Sequence, residues 1–595
     1  MHSTSLPRLP IFEAIAKHEP ESTAVIHSAS GRRFTYGELL GDVCRARERF
    51  VDASGKKDLQ GERIAFLVEN SYDYVVTLLA SLAARSIAVP MSPAFPAPEL
   101  QYILDHSQAS LLVSSSKFAS KAHEVLATPL EAKPVHLELP KHVGGQQRTQ
   151  DNAVTLQDSD PAKAGLMLYT SGTTSRPIWQ KGVLIPQSAL TAQAHSLLQA
   201  WEYTPSDHLL HVLPLHHIHG TVNAVIPPLF AGSSIEFMFP FNADAVWNRL
   251  AAPYLPTDDG TTNGTNDVKS SSSSSSSFPS SKPKVTFFTV VPTVYSRLLS
   301  AHKSLSPPLQ QASREAISPQ NMRVNISGSA ALPTPVKSAW HDLSHGNVLL
   351  ERYGMTEVGM ALSCGLAFPD RVDASVGWPL PSVQARLVDV DTGHVIPPGQ
   401  ELDSKGRPRP GEIHLRGPTI FQEYWRNPEA TASAFVSDPG NDNSNQGPWF
   451  KTGDVAIRQP VPSASHAQPW TQGPLYFIQG RLTADIIKTG GEKVSALEIE
   501  RELLSLPQVA EAAVVAVPSG SWGQKVAAVV VLDTSVTQKW SPLEMRRALK
   551  SRLAGYKIPQ VMKVVGYIPR NAMGKINKKQ LVKDMFAEEH SEDET

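Results

Sequence analysis

The sequence predicts an α/β protein in two parts. A large N-terminal unit of layered sheets and helices spans residues 1–480, and a small α+β unit spans residues 481–595. Three observations predict this. From Ile64 onward, short apolar runs alternate with helically spaced ones, the pattern of a parallel sheet with helices on its faces. After Gly480 the style changes to longer apolar runs between short helices. The length of 595 residues also exceeds what one core ordinarily organises.

In chain order, Ile64 to Val68 reads as a strand, Ser71 to Ala84 as a helix and Ile87 to Val89 as a strand. Pro98 to Asp105 reads as a helix and Ser110 to Ser114 as a strand. Residues 256–284 break the alternation. They include eight consecutive serines, Ser270 to Ser277, a composition that cannot bury a core and predicts a disordered surface insertion. It falls between two apolar segments, Ser234 to Phe239 and Val285 to Val290. Pro439 to Gly447 and Pro460 to Gly473 read as loops, being rich in Gly, Pro, Asn and Ser. The unit boundary falls at Gly480 to Asp485. Beyond it, Leu497 to Leu506 and Leu543 to Leu553 read as helices. Val509 to Val517, Val526 to Leu532 and Val561 to Val565 read as strands, and the end of the chain as a disordered acidic tail.

The bulk composition excludes several classes. A net charge of −1 lacks the basic face that nucleic-acid binding needs. The longest clean apolar run, Val526 to Leu532, is too short to cross a bilayer. Cys44 and Cys364 are the only cysteines, so no disulfide framework exists and a reducing compartment is expected. Early acidic residues Glu13, Glu19 and Glu21 argue against a transit peptide. A monomer in the cytoplasm is expected, and a mitochondrial location is also compatible.

The most informative segment is Leu168-Tyr-Thr-Ser-Gly-Thr-Thr-Ser-Arg-Pro177, with Lys181-Gly182 behind it. An apolar run delivers the chain into a turn carrying Thr170, Ser171, Gly172, Thr173 and Thr174, with Lys181 nearby. Backbone N–H groups, hydroxyls and a cation arranged this way can wrap phosphates. A Walker A loop is excluded, because no G-x-x-x-x-G-K-[ST] is present. Three further segments follow: Glu351-Arg-Tyr-Gly-Met-Thr-Glu357, Trp449-Phe-Lys-Thr-Gly-Asp454 and Pro569-Arg-Asn-Ala-Met-Gly-Lys575.

Together, in this order and spacing, the four segments resemble the core motifs of the adenylate-forming superfamily of acyl-CoA synthetases, adenylation domains and luciferases. The resemblance runs from about Pro10 to about Phe586. It implies binding of ATP, Mg²⁺ and CoA. Thr170, Ser171, Gly172, Thr173, Thr174 and Lys181 would hold phosphates, as would Thr356. Tyr353, with Gly354 and Met355, would stack on adenine; Ser329 would also serve the nucleotide. Asp454 and Arg481 would hold the ribose. Glu357 would be the Mg²⁺-linked carboxylate, a hard oxygen ligand. Lys575 would be the catalytic lysine. Gly490, Gly491 and Glu492 would form the CoA-side face after rotation about a hinge near residues 483–485.

Each residue also has an ordinary reading. Thr356 and Glu357 could cap a helix, Asp454 could sit in a turn, and Arg481 and Lys575 could be surface charges. Five histidines between His208 and His219 suggest zinc, but no cysteine supports it. Leu213 to Asn223 resembles instead the histidine-rich substrate motif of malonyl-CoA synthetases, with His217 and His219 toward the acid. Val324 to Leu332, Leu350 to Ser363 and Asp485 to Glu498 resemble that subfamily too. A buried anion needs a paired cation. Arg352 can supply one to the carboxylate that malonate keeps after activation. Its ordinary reading is an ion pair with Glu351.

The expected activity is therefore formation of malonyl-CoA from malonate, ATP and CoA through malonyl-AMP. Methylmalonate or another short acid, or a catalytically impaired nucleotide-binding relative, are the alternatives. One departure stands out. The related loops have glycine where Ser175 lies, and Ile178-Trp-Gln180 are three additional residues before Lys181. They could bulge outward, displace the lysine and damage ATP binding, or reflect a mis-set exon boundary in the gene.

Overall fold

A computed structural model of the chain describes residues 5–144, 154–158, 163–170, 181–256, 282–438, 447–519, 523–570 and 576–587. Two large sheets form its centre. A seven-stranded sheet runs in the order Glu423–Tyr424, Lys181–Pro186, Gly165–Thr170, Ile87–Pro90, Arg63–Leu67, Leu111–Ser115 and Val135–Leu139. The last five strands pair in parallel, and the first two add antiparallel. A nine-stranded sheet runs Trp378–Pro379, Gly359–Ser363, Leu350–Met355, Val324–Gly328, Phe287–Val290, His208–His211, Ser234–Phe237, Thr23–His27 and Arg32–Thr35. The strands read from the sequence recur here, with ends shifted by a residue or two.

The helix Tyr72–Ala83 is buried along its whole length, the polar residues Asp73, Thr77 and Ser81 on one of its faces included. Its one hydrophobic cluster draws on both large sheets, through Phe66 and Leu166 from one and Val25, Ile326 and Leu350 from the other. Thr77 and Ser81 donate their hydroxyls to the carbonyls of Asp73 and Thr77, four residues earlier. That satisfies both groups without solvent. Ser71 caps the start of the helix by accepting from the Asp73 N–H.

A third, antiparallel sheet contains Gln384–Asp389, Gly411–Arg416, Trp449–Gln459 and Leu475–Arg481. The chain leaves it at Arg481. At Ile486–Thr489 it enters a five-stranded sheet with Glu492–Ser495, Gly523–Leu532, Val509–Ser519 and Val561–Val564. Helices Ala496–Leu504 and Pro542–Leu549 cover one face and Lys578–Met585 the other. The second of these is shorter than the expected Leu543 to Leu553, because the chain turns at residues 551–553. Among the described residues no helix is long and apolar enough to cross a membrane.

The serine run and the acidic tail lie outside the described residues, as does most of Pro439 to Gly447. The sheet segments on either side of the serine run, Ser234–Phe237 and Phe287–Val290, flank the same strand, His208–His211. A buried cluster ties down this region. His208 Nε2 lies 2.8 Å from Glu236, and Arg249 pairs with the same carboxylate at 2.7 Å. Arg249 also donates to the Pro283 carbonyl at 2.7 Å. Burial alone would raise the Glu236 carboxyl, but hydrogen bonds from His208 and Arg249 outweigh it and bring it to about 2. One of the five histidines is thereby accounted for as structure.

Arg249→Met should destabilise the protein by ~3–5 kcal/mol, because it strands a buried carboxylate. Adding Glu236→Gln should recover part of the loss. Urea unfolding of the three proteins checks this, and an Arg249→Met variant as stable as the parent would refute it.

Candidate active site

The segment expected to bind phosphates is flanked by two paired strands. Gly165–Thr170 and Lys181–Pro186 pair antiparallel, with Thr170 opposite Lys181. Ser171, Gly172, Thr173, Thr174 and the additional Ile178-Trp-Gln180 lie outside the described residues. The ladder on either side of them is nevertheless in continuous register. The Lys181 ammonium lies over the Tyr424 ring, 4.1 Å from its centroid. The Tyr424 hydroxyl donates to Glu357 at 2.9 Å. A cation at the loop's end and the carboxylate of a second motif are thus bridged by one aromatic ring.

Thr356 and Glu357 are not a helix cap. They occupy the turn between antiparallel strands Leu350–Met355 and Gly359–Ser363. Gly354 and Met355 end the first strand. Glu357 is held from both ends, its carbonyl accepting from the Phe421 N–H at 2.8 Å. Its carboxylate is the sort of single hard ligand with which Mg²⁺ is bound alongside substrate phosphates, so the residue fits that ion. Among the described residues no group of three or more His, Cys, Asp or Glu could hold a metal.

The ribose candidates meet as well. Arg481 Nε lies 2.8 Å from Asp454, and the Tyr353 hydroxyl donates to the other Asp454 oxygen at 2.5 Å. Burial raises the Asp454 carboxyl, against the pull of Arg481. A carboxylate has about four acceptor positions, so both contacts leave capacity for hydroxyls. Arg481 and Asp454 face each other because strands Trp449–Gln459 and Leu475–Arg481 pair in that register.

A third cluster surrounds Arg352. Strand Leu350–Met355 sends alternate side chains to opposite faces. Glu351 goes to one face, where it pairs with Lys337 at 2.8 Å. The ion pair between Glu351 and Arg352 considered from the sequence is therefore not formed. Arg352 goes to the other face, buried to 3% exposure. Among the described residues it has no acidic partner; its one hydrogen bond goes to Ser329 Oγ at 3.3 Å, and its Nε has none. Burial lowers its pKa to about 9. Its side chain packs against Gly328, where an added Cβ would come within 2.6 Å of Nε.

Ser329, expected at the nucleotide, lies beside Arg352 in space. Its hydroxyl also reaches His219 Nδ1 at 3.4 Å. It does so from φ +68°, a left-handed backbone that costs a residue with a Cβ about 1–2 kcal/mol. His219 begins a π-helical turn, His219–Asn223, a form common at functional sites. Gly220 permits the turn, since a Cβ there would stand 2.2 Å from the Pro214 carbonyl. Thr289 meets His219 Nε2 at 2.8 Å. Neither Thr289 nor Tyr424 carries any signal in the sequence. The His217 ring lies 4.0 Å from that of His216, tilted by 51°. His211 is fully buried on the same sheet face.

On the small unit, Gly490 and Gly491 form the turn between Ile486–Thr489 and Glu492–Ser495. Both glycines are exposed, and Glu492 lies 3.7 Å from Arg407. Asp485 accepts from the Arg481 N–H at 2.9 Å and from Lys578 at 2.5 Å. Lys578 also pairs with Glu500 at 2.7 Å. Lys575, three residues before Lys578, lies outside the described residues.

Comparison with known proteins gives a consistent result. The family model for AMP-binding enzymes matches residues 12–257 and 280–425. That for the AMP-binding enzyme C-terminal domain matches residues 498–575. A protein of Gibberella moniliformis named CoA ligase is 55% identical over 98% of this chain and 96% of its own. The mitochondrial malonate–CoA ligase ACSF3 of Mus musculus is 37% identical over 93% of this chain and 87% of its own. The crystal structure of ATP-bound MatB from Rhodopseudomonas palustris matches with a TM-score of 0.74 at 28% identity, covering 98% of this chain and 99% of that one.

Burial, partly offset by the Leu213 backbone, lowers His211 to about 4 from the usual 6.5. The unfolded chain therefore takes up the proton first as the pH falls. The stability His211 contributes is complete above 6.5 and lost progressively between 6.5 and about 4. From pH 7.5 to pH 5, the parent should lose ~2 kcal/mol more than His211→Leu. Equal losses in urea unfolding would show that His211 is not held neutral.

Proposed function

We propose that this protein, which belongs to the AMP-binding enzyme family and is an AMP-forming acyl-CoA ligase, joins malonate to CoA. The observation that carries this reading is Arg352. A buried guanidinium with no acidic partner among the described residues is costly on its own. It becomes favourable when an anion occupies the site and accepts two of its N–H donors. Malonate brings a second carboxylate that survives activation of the first, whereas a fatty acid brings only methylene groups. The malonate–CoA ligases among the relatives support the same choice.

The reaction has two halves. One malonate carboxylate oxygen attacks the α-phosphorus of ATP, and pyrophosphate leaves with the broken P–O bond's electron pair. The thiol sulfur of CoA then attacks the acyl carbon of malonyl-AMP, loses its proton, and AMP departs. Lys181 and the loop before it would hold the triphosphate. Asp454 and Arg481 would hold the ribose, with Tyr353 beside them. Lys575 would steady the charge that builds in the first half. Mg²⁺ held by Glu357 would supply positive charge beside the phosphates. Between the halves the small unit would turn about residues 483–485, replacing Lys575 with the Gly490-Gly491-Glu492 face. Buried, unpaired Cys44 and Cys364 favour a reducing compartment, which we take to be the cytoplasm.

Removing Arg352 as Arg352→Ala leaves the free carboxylate of malonate without its partner, a penalty of ~3–5 kcal/mol. The kcat/KM for malonate should fall by about two to three powers of ten. Butyrate, lacking that carboxylate, should lose far less. Equal losses for the two acids would remove the case for malonate. A parent preference for methylmalonate would move the assignment to that acid.

Lys575→Ala should nearly abolish pyrophosphate release from malonate and ATP. Attack of CoA on supplied malonyl-AMP should continue at close to the parent rate. Undiminished pyrophosphate release would assign the lysine to the surface.

A further inference from the structure

Thr289 lies on strand Phe287–Val290, on the sheet face that carries Arg352. It is fully buried, and His219 Nε2, at 2.8 Å, is its hydroxyl's one hydrogen-bond partner among the described residues. A buried hydroxyl proton without an acceptor is costly. Nε2 is the acceptor within reach, so the hydroxyl must donate to it. Nε2 then carries a lone pair. His219 is held neutral by burial and by the adjacent Arg352, its pKa well below the usual range. A neutral imidazole has one N–H, and that proton must sit on Nδ1. Nδ1 is the nitrogen that faces Ser329, whose hydroxyl oxygen also accepts from Arg352.

We propose that Thr289 is a positioning residue that fixes His219 as its Nδ1–H tautomer, turning the ring edge beside Arg352 into a hydrogen-bond donor. This rests on the reading that the Arg352 cluster receives the free carboxylate of the substrate. In that setting the tautomer determines specificity. A carboxylate entering the cluster meets donors from Arg352, Ser329 and His219. With the opposite tautomer it would meet a lone pair, and the site would repel the group it serves.

The test uses the full chain, labelled with ¹⁵N-histidine, without ligand. The His219 signal is assigned by its loss in His219→Asn. Two-bond ¹H–¹⁵N correlations should show Nδ1 protonated and Nε2 as an acceptor. Thr289→Ser, which keeps the hydroxyl, should preserve that signature and the parent KM for malonate. Thr289→Val should shift the signal away from the pure Nδ1–H form. It should also raise KM for malonate by about tenfold, the scale of one hydrogen bond to a charged group, and leave butyrate nearly unchanged. An Nε2–H signature in the parent would overturn the inference whatever the acid. So would a Thr289→Val protein with unaltered signature and KM. A parent with the Nδ1–H signature that does not use malonate would instead overturn the malonate reading and leave the tautomer assignment standing.

Discussion

The site depends on how one strand disposes of two opposite charges. Leu350–Met355 lies inside a nine-stranded sheet, and its neighbours Glu351 and Arg352 both reach the interior. The pleat separates them. Behind the sheet, Lys337 neutralises Glu351 and also donates to the carbonyls of Arg371 and Val372. In front, Arg352 remains an uncompensated charge, supported by Gly328 below and Ser329 beside it. Two buried charges on adjacent residues thus meet different surroundings: one is paired and pins the strand, and the other has no acidic partner among the described residues. The same strand continues into Tyr353 and the turn with Thr356 and Glu357. Fixing Glu351 therefore fixes the acid end and the nucleotide end together.

The rest of the site is assembled from the ends of elements in three sheets. The hairpin Gly165–Thr170 and Lys181–Pro186 brings a cation from the first sheet, and strand Leu350–Met355 brings the acid cluster from the second. Asp454 and Arg481 come from the third. Tyr424 joins the first to the second through Lys181 and Glu357. Tyr353 joins the second to the third through Asp454. The tyrosines work as joints because each presents an apolar face for packing and a hydroxyl for bonding.

Much of the fold was legible in the sequence, since apolar runs of strand length between helical spacings leave few other architectures. The candidate site residues were named through motifs that resemble the adenylate-forming superfamily, and the described ones among them, such as Asp454 with Arg481, come together in pairs. Contacts between distant segments were not. Thr289 and Tyr424 look like ordinary strand residues until folding brings them to His219 and Glu357, 70 and 67 positions away. Ser329 lies in a recognisable motif, yet its contacts with Arg352 and His219 appear only in the folded chain. The helix-cap reading of Thr356 failed because a threonine followed by an acid suits a tight turn between strands equally well.

The register of Thr170 against Lys181 bears on how such a site can change over generations. The ladder behind the loop, six paired positions ending at Gly165 and Pro186, fixes where the lysine emerges whatever length of chain connects the two strands. Three additional residues raise the closure entropy of that connection by only about 0.3 kcal/mol, well below what any one ladder contact resists. Insertions and deletions at this spot are therefore nearly neutral in stability and can drift, while a slip of a single position in the ladder would swing the lysine to the opposite face. Stability alone therefore constrains the loop's length weakly and the strands' alignment strongly.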